Sequence, residues 1–265
     1  MGRTDSIRSG NEREAVANSD AQQSAERVFL GMLTPSSNTV LEPITGAMLA
    51  DVSRVTAHFS RFRVTEISMS RNSQQQFVND AMIQAAQLLA DAKVHAIIWN
   101  GTSSGWLGFD RDEALCRDIT EATGIPASTS VLALNEVFTR TGVRRFGLVT
   151  PYLDEIQERI VANYGRSGFE CVSEEHYRDR GNFSFSEFTE DQIAQSIRNV
   201  AAAKPEAITV FCTNMRGASV AAELERELGI PIYDTVATAV WKALLLVGAD
   251  PARVSGWGRL FSEIR

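Results

Sequence analysis

A short sequence pattern occurs twice in this chain, and it constrains the fold more than any other feature. In each copy an apolar strand segment runs into a polar turn, and the helix that follows ends at Gly-Ile-Pro, once at 124–126 and once at 229–231. The two polar turns lie at Gly101 and Cys212, which are 212 − 101 = 111 residues apart. Such a repeat of alternating strands and helices is typical of two similar α/β units.

The same alternation continues outside the repeated pattern, so the whole chain beyond residue 26 is assigned to these units. We predict an α/β fold with two pseudo-symmetric Rossmann-like halves, each a mainly parallel sheet flanked by helices, and an active site in the cleft between them. The predicted first half combines 27–128 with 236–265, and the predicted second half is 129–235. The polar segment 1–26 is predicted to be a tail that is either disordered or wrapped around a neighbouring subunit.

Two helix ends are also predicted from single residues. Asp110 is predicted to be the N-cap of a helix over 110–123, because its short carboxylate can accept from free helical N–H groups. Gly124 is predicted to end the same helix in the left-handed conformation.

Composition excludes several classes of function. The 265 residues carry a net charge of −7 and no basic run, which argues against nucleic acid as a partner. The longest apolar runs, such as 243–247, are too short to span a bilayer. The three cysteines and three histidines are scattered, so we predict no disulfide framework, no metal site, no cofactor and a cytoplasmic location. Whether the protein forms a homo-oligomer stays open.

Cys212 is the strongest candidate for a reactive group. It follows the apolar run 208–211, and a polar turn that opens a helix comes directly after it. Ligands of open α/β sheets bind outside the carboxyl ends of the strands, and a helix N-terminus favours a thiolate. We therefore predict a thiol that ionises easily, against the alternative of a small buried hydrophobic side chain. Cys116 and Cys171 lie inside a helix and a strand and are interpreted as structural.

Four polar turns are predicted to face the cleft at strand ends, at 34–39, 101–105, 150–152 and 212–214. Each alone could be an ordinary turn or cap, but together they describe a pocket for a small carboxylate. The candidate binding residues are Ser36, Asn38, Gly101, Thr102, Ser103, Tyr152, Thr213 and Asn214. The polar stretch 173–190, which contains Asn182, is interpreted either as a lid over the cleft or as a plain loop.

These segments together resemble the aspartate/glutamate racemase superfamily, and within it the branch of arylmalonate decarboxylases and maleate cis-trans isomerases. The resemblance covers nearly all of 28–262, and Cys212 falls at the position of the superfamily's second-half cysteine. It is carried by Pro-Ser-Ser-Asn-Thr at 35–39, Gly-Thr-Ser at 101–103, and the segments 142–145, 152–159 and 258–261.

The resemblance implies a reaction with a single thiol. Racemases of the superfamily use one cysteine from each half, whereas Gly101 stands at the first-half position here. The decarboxylase branch uses one cysteine, and the residues that match its carboxylate-binding and enediolate-binding groups are Thr102, Ser103, Tyr152 and Thr213.

The turn after Cys212 departs from the arylmalonate decarboxylase pattern. Thr-Asn-Met-Arg at 213–216 stands in place of a glycine-rich turn. Asn214 and Arg216 are predicted to make the pocket more polar, which favours a smaller or more polar dicarboxylate, or an amino-acid derivative, over an aryl substrate.

The sequence therefore predicts a cofactor-independent, decarboxylase-like lyase that acts on a small mono- or dicarboxylate. The reaction would pass through an enediolate or carbanion that Cys212 protonates. Two alternatives stay open: a maleate-type cis-trans isomerase or racemase-like enzyme of amino-acid or ectoine-type catabolism, and a non-catalytic carboxylate-binding protein.

Overall fold

The computed structural model describes residues 27–64 and 79–264. The predicted tail over 1–26 lies outside these residues. Within the described residues, no helix is long and apolar enough to cross a membrane.

Four strands form a parallel sheet in the first half of the chain, in the order β2-β1-β3-β4. Helices precede or follow each of these strands. The elements are β1 (Val28–Pro35), α1 (Leu41–Leu49), β2 (Val55–Phe62), α2 (Asn79–Asp91), β3 (Ala96–Trp99), α3 (Ser104–Leu107), α4 (Phe109–Thr123), β4 (Ala127–Thr129) and α5 (Ser130–Thr141).

The second half repeats this arrangement with a parallel sheet in the order β6-β5-β7-β8. Two short 3₁₀ turns, Ser184–Glu187 and Pro251–Arg253, interrupt its loops. The elements are β5 (Arg145–Thr150), α6 (Asp154–Arg166), β6 (Glu170–His176), α7 (Glu190–Ala201), β7 (Ala207–Val210), α8 (Gly217–Leu228), β8 (Ile232–Asp234), α9 (Thr235–Leu246) and α10 (Arg259–Glu263).

Equivalent hydrogen bonds occur in the two halves and confirm the predicted pseudo-symmetry. Asn100 N donates to Leu33 O over 3.1 Å, and Phe211 N donates to Val149 O over 2.9 Å. The two donors are 211 − 100 = 111 residues apart, the same interval as in the sequence repeat. The turns that begin at Gly101 and Cys212 therefore leave equivalent strand ends.

The repeated Gly-Ile-Pro segments have the same structural role in both halves. Gly124 ends α4 with φ 72° and Gly229 ends α8 with φ 71°, the left-handed region that only glycine adopts without a steric cost. The prediction for Gly124 is confirmed. The prediction that Asp110 is an N-cap is wrong, because Gly108 occupies that position and α4 begins at Phe109.

The helices α5 and α9 join the two sheets. The ring of Phe138 in α5 lies 5.4 Å from that of Phe146 and 6.2 Å from that of Tyr233, both in the second half. In return, α9 packs against α1, β3 and β4 of the first half. These exchanged contacts support our proposed boundaries, 27–128 with 236–265 for one half and 129–235 for the other.

Candidate active site

A small cavity lies between the two sheets, at the carboxyl ends of their strands. It measures about 20 Å³, which is room for about one water molecule. The residues that line it include Pro35, Val64, Trp99, Gly101, Thr102, Ser103, Trp106, Tyr152, Asn182, Cys212 and Thr213. Six of the predicted site residues, from three separate turns, thus meet at one place.

The turn after β3 presents its backbone to this cavity. Ser130 Oγ donates to Gly101 O over 2.8 Å and holds the start of the turn. Gly105 N then donates to Thr102 O, and Trp106 N donates to Ser103 O, so the turn leads directly into α3. Among the described residues, the N–H groups of Thr102 and Ser103 have no acceptor. These two donors are available to an anion in the cavity.

Tyr152 lies between the turn after β3 and the turn after β7. Its hydroxyl lies 2.6 Å from Thr102 Oγ1. Tyr152 lines the same cavity as Cys212, and its hydroxyl acts to lower the pKa of the thiol. The rings of Trp106 and Phe185 lie 5.2 and 5.6 Å away and fix its position edge to face. Burial raises the pKa of Tyr152 well above its usual range, so the phenol remains a neutral donor at physiological pH.

Cys212 is buried, with 3 % of its surface exposed. Burial raises the pKa of its thiol to about 12, and the N–H of Asn214, 3.4 Å from Sγ, together with the Tyr152 hydroxyl, opposes that rise only in part. The prediction of an easily ionised thiol is therefore wrong. The helix α8 begins at Gly217, and desolvation outweighs its N-terminus. Cys212 is therefore a neutral thiol. The Asn214 N–H and the Tyr152 hydroxyl are the two donors that would stabilise its thiolate.

Thr213 contributes to the cavity through its backbone rather than through its hydroxyl. Its Oγ1 donates to Asn100 O over 3.1 Å and also accepts from Asn38 Nδ2, so the hydroxyl is occupied. The N–H of Thr213 has no acceptor among the described residues.

Asn38 and Asn214 do not line the cavity, because their amide groups bind protein groups across the two halves. Asn38 Nδ2 donates to Thr213 O over 3.1 Å, and Asn214 Oδ1 accepts from Thr39 N over 2.9 Å. Both side chains are buried. They position the two turns and bind no ligand directly in this arrangement.

Ser36 is also outside the cavity. Its hydroxyl donates to Val64 O over 3.3 Å and accepts from Val64 N over 3.1 Å. The structure therefore places it as a support for the chain that leaves β2.

Several cavity residues were missed by sequence reasoning. Trp99, Trp106 and Val64 are apolar residues in or beside regular elements, and they carry no sequence signal of a site. Asn182 had a weak signal, as part of the stretch interpreted as a lid or a loop. The side-chain amide of Asn182 donates to Ser37 Oγ over 2.9 Å, and its backbone carbonyl accepts from Asn214 Nδ2. The loop therefore spans the cleft.

A larger cavity of about 220 Å³ lies beside the first and shares Trp99 and Ser103 with it. Buried Asp112 lines this second cavity, and its Oδ2 accepts hydrogen bonds from Ser104 and Thr129. Burial raises the pKa of Asp112 to about 6. The carboxyl group therefore changes protonation near neutral pH.

Similarity to a known protein family extends over most of the chain. The family described as arylmalonate decarboxylase matches residues 38–261. The chain belongs to this family. Across the described residues, no group of three or more His, Cys, Asp and Glu side chains is placed to hold a metal ion.

Two relatives of this chain are named for different reactions. The chain is 24% identical to arylmalonate decarboxylase of Bordetella bronchiseptica over 235 residues, which cover 87% of this chain and 98% of that one. It is 21% identical to maleate isomerase of Geobacillus stearothermophilus, over 83% of this chain and 92% of that one. Both relatives are enzymes, and both names refer to dicarboxylates.

Solved structures of both kinds of enzyme share the fold. Maleate isomerase of Pseudomonas putida superposes with a TM-score of 0.80 at 22% identity, covering 90% of this chain and 99% of that one. A liganded arylmalonate decarboxylase with glycine-to-cysteine and cysteine-to-serine substitutions superposes with a TM-score of 0.79 at 22% identity, covering 89% and 99%. A cysteine-to-serine variant of the Nocardia farcinica maleate isomerase, which carries a covalent succinylcysteine, has a TM-score of 0.80 at 22% identity and covers 88% and 98%.

Proposed function

We propose that this protein is a cofactor-independent decarboxylase of a small malonate-type dicarboxylate. The observation that carries the proposal is the neutral Cys212 thiol, held beside two donors at the edge of a cavity lined by free backbone N–H groups. A thiol that keeps its proton at neutral pH is suited to give that proton to a carbanion.

The turn at 101–103 would bind the carboxylate that remains on the substrate. The N–H groups of Thr102 and Ser103, the Ser103 hydroxyl and the N–H of Thr213 are neutral donors around one small cavity. Neutral donors that are already in place stabilise negative charge as it grows, and one such donor contributes about 3–4 kcal/mol in known oxyanion holes.

The reaction would then proceed in two steps. The bond between the α-carbon and the departing carboxylate breaks, CO₂ leaves, and the electron pair remains as an enediolate on the retained carboxylate. Cys212 Sγ–H next transfers its proton to the α-carbon, which leaves a thiolate that accepts from the Tyr152 hydroxyl and the Asn214 N–H. Water returns a proton to the thiolate and completes the cycle.

Cis-trans isomerisation of a maleate-type substrate is the second candidate. It is supported by the covalent succinylcysteine in the Nocardia farcinica enzyme, since a thiolate that adds to an alkene forms such an adduct. Two features of this chain favour decarboxylation instead. The raised pKa of Cys212 disfavours the thiolate, and the equivalent turn of the first half presents Gly101 rather than a second thiol.

A substrate panel in D₂O tests the proposal. Malonate, alkyl- and arylmalonates, maleate and α-acylamino acids are incubated with the protein and followed by NMR. Loss of CO₂ with one deuterium at the α-carbon is the expected result. Fumarate formed from maleate would establish the isomerase instead, and binding of these acids without any turnover would establish a carboxylate-binding protein.

The Cys212→Ala variant is the control for this panel. It should retain the fold and lose turnover. Retention of more than about a tenth of wild-type kcat/KM would correspond to a loss below ~1.4 kcal/mol and would remove the thiol from the mechanism.

A further inference from the structure

The side chain of Trp99 occupies the space that a side chain at position 101 would need. A Cβ built on Gly101 would lie 2.0 Å from Cζ2, 2.5 Å from Cε2 and 2.6 Å from Cη2 of the indole. Gly101 does not have a positive φ, so its backbone would accept another residue. The glycine is required because the indole of Trp99 fills the place where the first half would otherwise present a side chain to the substrate.

The indole is held firmly in this place. Trp99 is the last residue of β3 and is 1 % exposed. The ring of Phe62, at the end of β2, packs against it with a centroid separation of 5.0 Å. The ring is therefore part of the rigid wall of the cavity and cannot turn away without disturbing both strand ends.

The indole N–H is a buried donor without a partner. Nε1 is inaccessible to solvent and has no hydrogen-bond acceptor within the part of the chain that the structure describes. It is bonded to Cε2, one of the three ring atoms next to position 101, so the N–H adjoins the ring edge that borders Gly101. Buried indole N–H groups are normally hydrogen-bonded, and an exception needs an explanation.

We propose that Trp99 is a substrate-binding residue, whose Nε1–H donates to a carboxylate oxygen of the bound dicarboxylate. This inference rests on the proposed function, because it takes its ligand from it. A carboxylate oxygen accepts strongly and carries no proton to clash with the indole. Trp99 would thereby replace the first-half side chain by a hydrogen-bond donor that does not ionise at physiological pH, and Cys212 would remain the group that gives a proton to the substrate.

The test uses the indole N–H signals of the intact protein. The chain has four tryptophans, and the Trp99→Phe variant identifies the Trp99 signal in a ¹H–¹⁵N spectrum. Malonate, phenylmalonate and maleate are then titrated into the wild-type protein. We expect the Trp99 signal to move on binding of a dicarboxylate that itself carries no aromatic ring.

Binding affinity and stability provide the second readout. Trp99→Phe keeps an aromatic ring and removes the donor, so it should weaken binding of malonate by about tenfold. It should lower the melting temperature only moderately, because the smaller ring leaves a cavity but no partner loses a hydrogen bond. Trp257→Phe, the same change at a tryptophan that does not line the cavity, should alter neither binding nor the Trp99 signal.

The possible results test the role of Trp99 separately from the proposed decarboxylase activity. A dicarboxylate that binds without moving the Trp99 signal, or with equal affinity for Trp99→Phe, would overturn the role of Trp99 even if CO₂ is released. Binding that moves the signal without any release of CO₂ would support the role of Trp99 and contradict the decarboxylase. Failure of all three acids to bind would contradict both.

Discussion

The phenol oxygen of Tyr152 lies 2.6 Å from the hydroxyl oxygen of Thr102. This bond joins the strand end after β5 to the turn after β3, and so it links the two sheets directly beside the thiol. Because the Tyr152 hydroxyl also acts to lower the pKa of the Cys212 thiol, we expect it to donate to a thiolate at Sγ while it accepts from Thr102. The donor that would stabilise the thiolate is therefore oriented by the turn that would bind the substrate.

Removal of this hydroxyl should slow the chemical step more than it weakens binding. We expect Tyr152→Phe to lower kcat by about 10- to 100-fold with a smaller change in KM, because the hydroxyl acts on charge that appears during the reaction. Steady-state kinetics on the best substrate of the panel measures this. Tyr177→Phe removes a hydroxyl that binds Ser196 outside the cavity, and it should leave kcat unchanged. A raised KM with normal kcat would assign Tyr152 to ground-state binding.

The raised pKa of Cys212 predicts a slow reaction with iodoacetamide. At pH 8 only about one thiol in ten thousand would be ionised if the pKa is about 12, because each pH unit below the pKa reduces the thiolate tenfold. Peptide mapping by mass spectrometry should find Cys212 largely unmodified in the folded protein and modified rapidly after unfolding in urea. Rapid alkylation of the folded protein would show that the thiol is ionised, and would favour the isomerase mechanism.

The contact between Trp99 and position 101 predicts the outcome of adding a second thiol. Gly101→Cys alone should lower the melting temperature, because the new side chain collides with the indole. The double variant Gly101→Cys with Trp99→Ala has room for the thiol on the face opposite Cys212. In D₂O this double variant should replace the α-hydrogen of a chiral monoacid product by deuterium. Trp99→Ala alone is the matched control and should not, since it lacks the second thiol.

Buried Asp112 predicts that stability falls as pH rises. Its pKa is about 6 in the folded protein against an ordinary value of 3.8, so the folded state binds this proton more tightly than the unfolded chain does. This tighter binding adds to the free energy of unfolding by at most about 3 kcal/mol. The added stability is fully present below about pH 4 and is lost as the pH rises through about 6. Asp234, whose pKa burial raises to about 7, acts in the same direction.

Urea unfolding of wild type and Asp112→Asn at pH 4 and pH 7.5 measures this effect. The variant should lose less stability than wild type between the two values, because its side chain does not ionise. Glu113→Gln, an exposed change on the same helix, should keep the wild-type pH dependence. An identical loss in Asp112→Asn and wild type would mean that Asp112 does not titrate in this range.

The sequence predicted the fold and much of the cavity because both depend on local patterns. Apolar runs that end in polar turns identify strand ends, and parallel strands bring those ends together. Gly101, Tyr152 and Cys212, each predicted to lie at such an end, line one cavity in the structure. Properties that depend on long-range packing were not predictable in this way. The burial that raises the pKa of Cys212 and the position of the Trp99 ring against Gly101 both arise from side chains remote in sequence.

Asn38 and Asn214 show a second limit of the same kind. Their residue type and position at strand ends correctly indicated the cleft, but an amide can bind a ligand or another part of the chain equally well. The partners across the cleft, Thr213 and Thr39, lie about 175 positions away. Only the folded arrangement shows that these amides are already occupied.

The reciprocal bonds of Asn38 and Asn214 make each half incomplete without the other. The turn after β1 is fixed by an amide from the second half, and the turn after β7 is fixed by an amide from the first. A gene fragment that encodes one half would therefore leave its own ligand-facing turn unsupported, and two fragments would have to reassociate before either regained activity. The proposed reaction needs groups from both halves, the N–H groups of Thr102 and Ser103 from one and the thiol of Cys212 from the other, so a substitution that shifts either turn would affect the site as a whole.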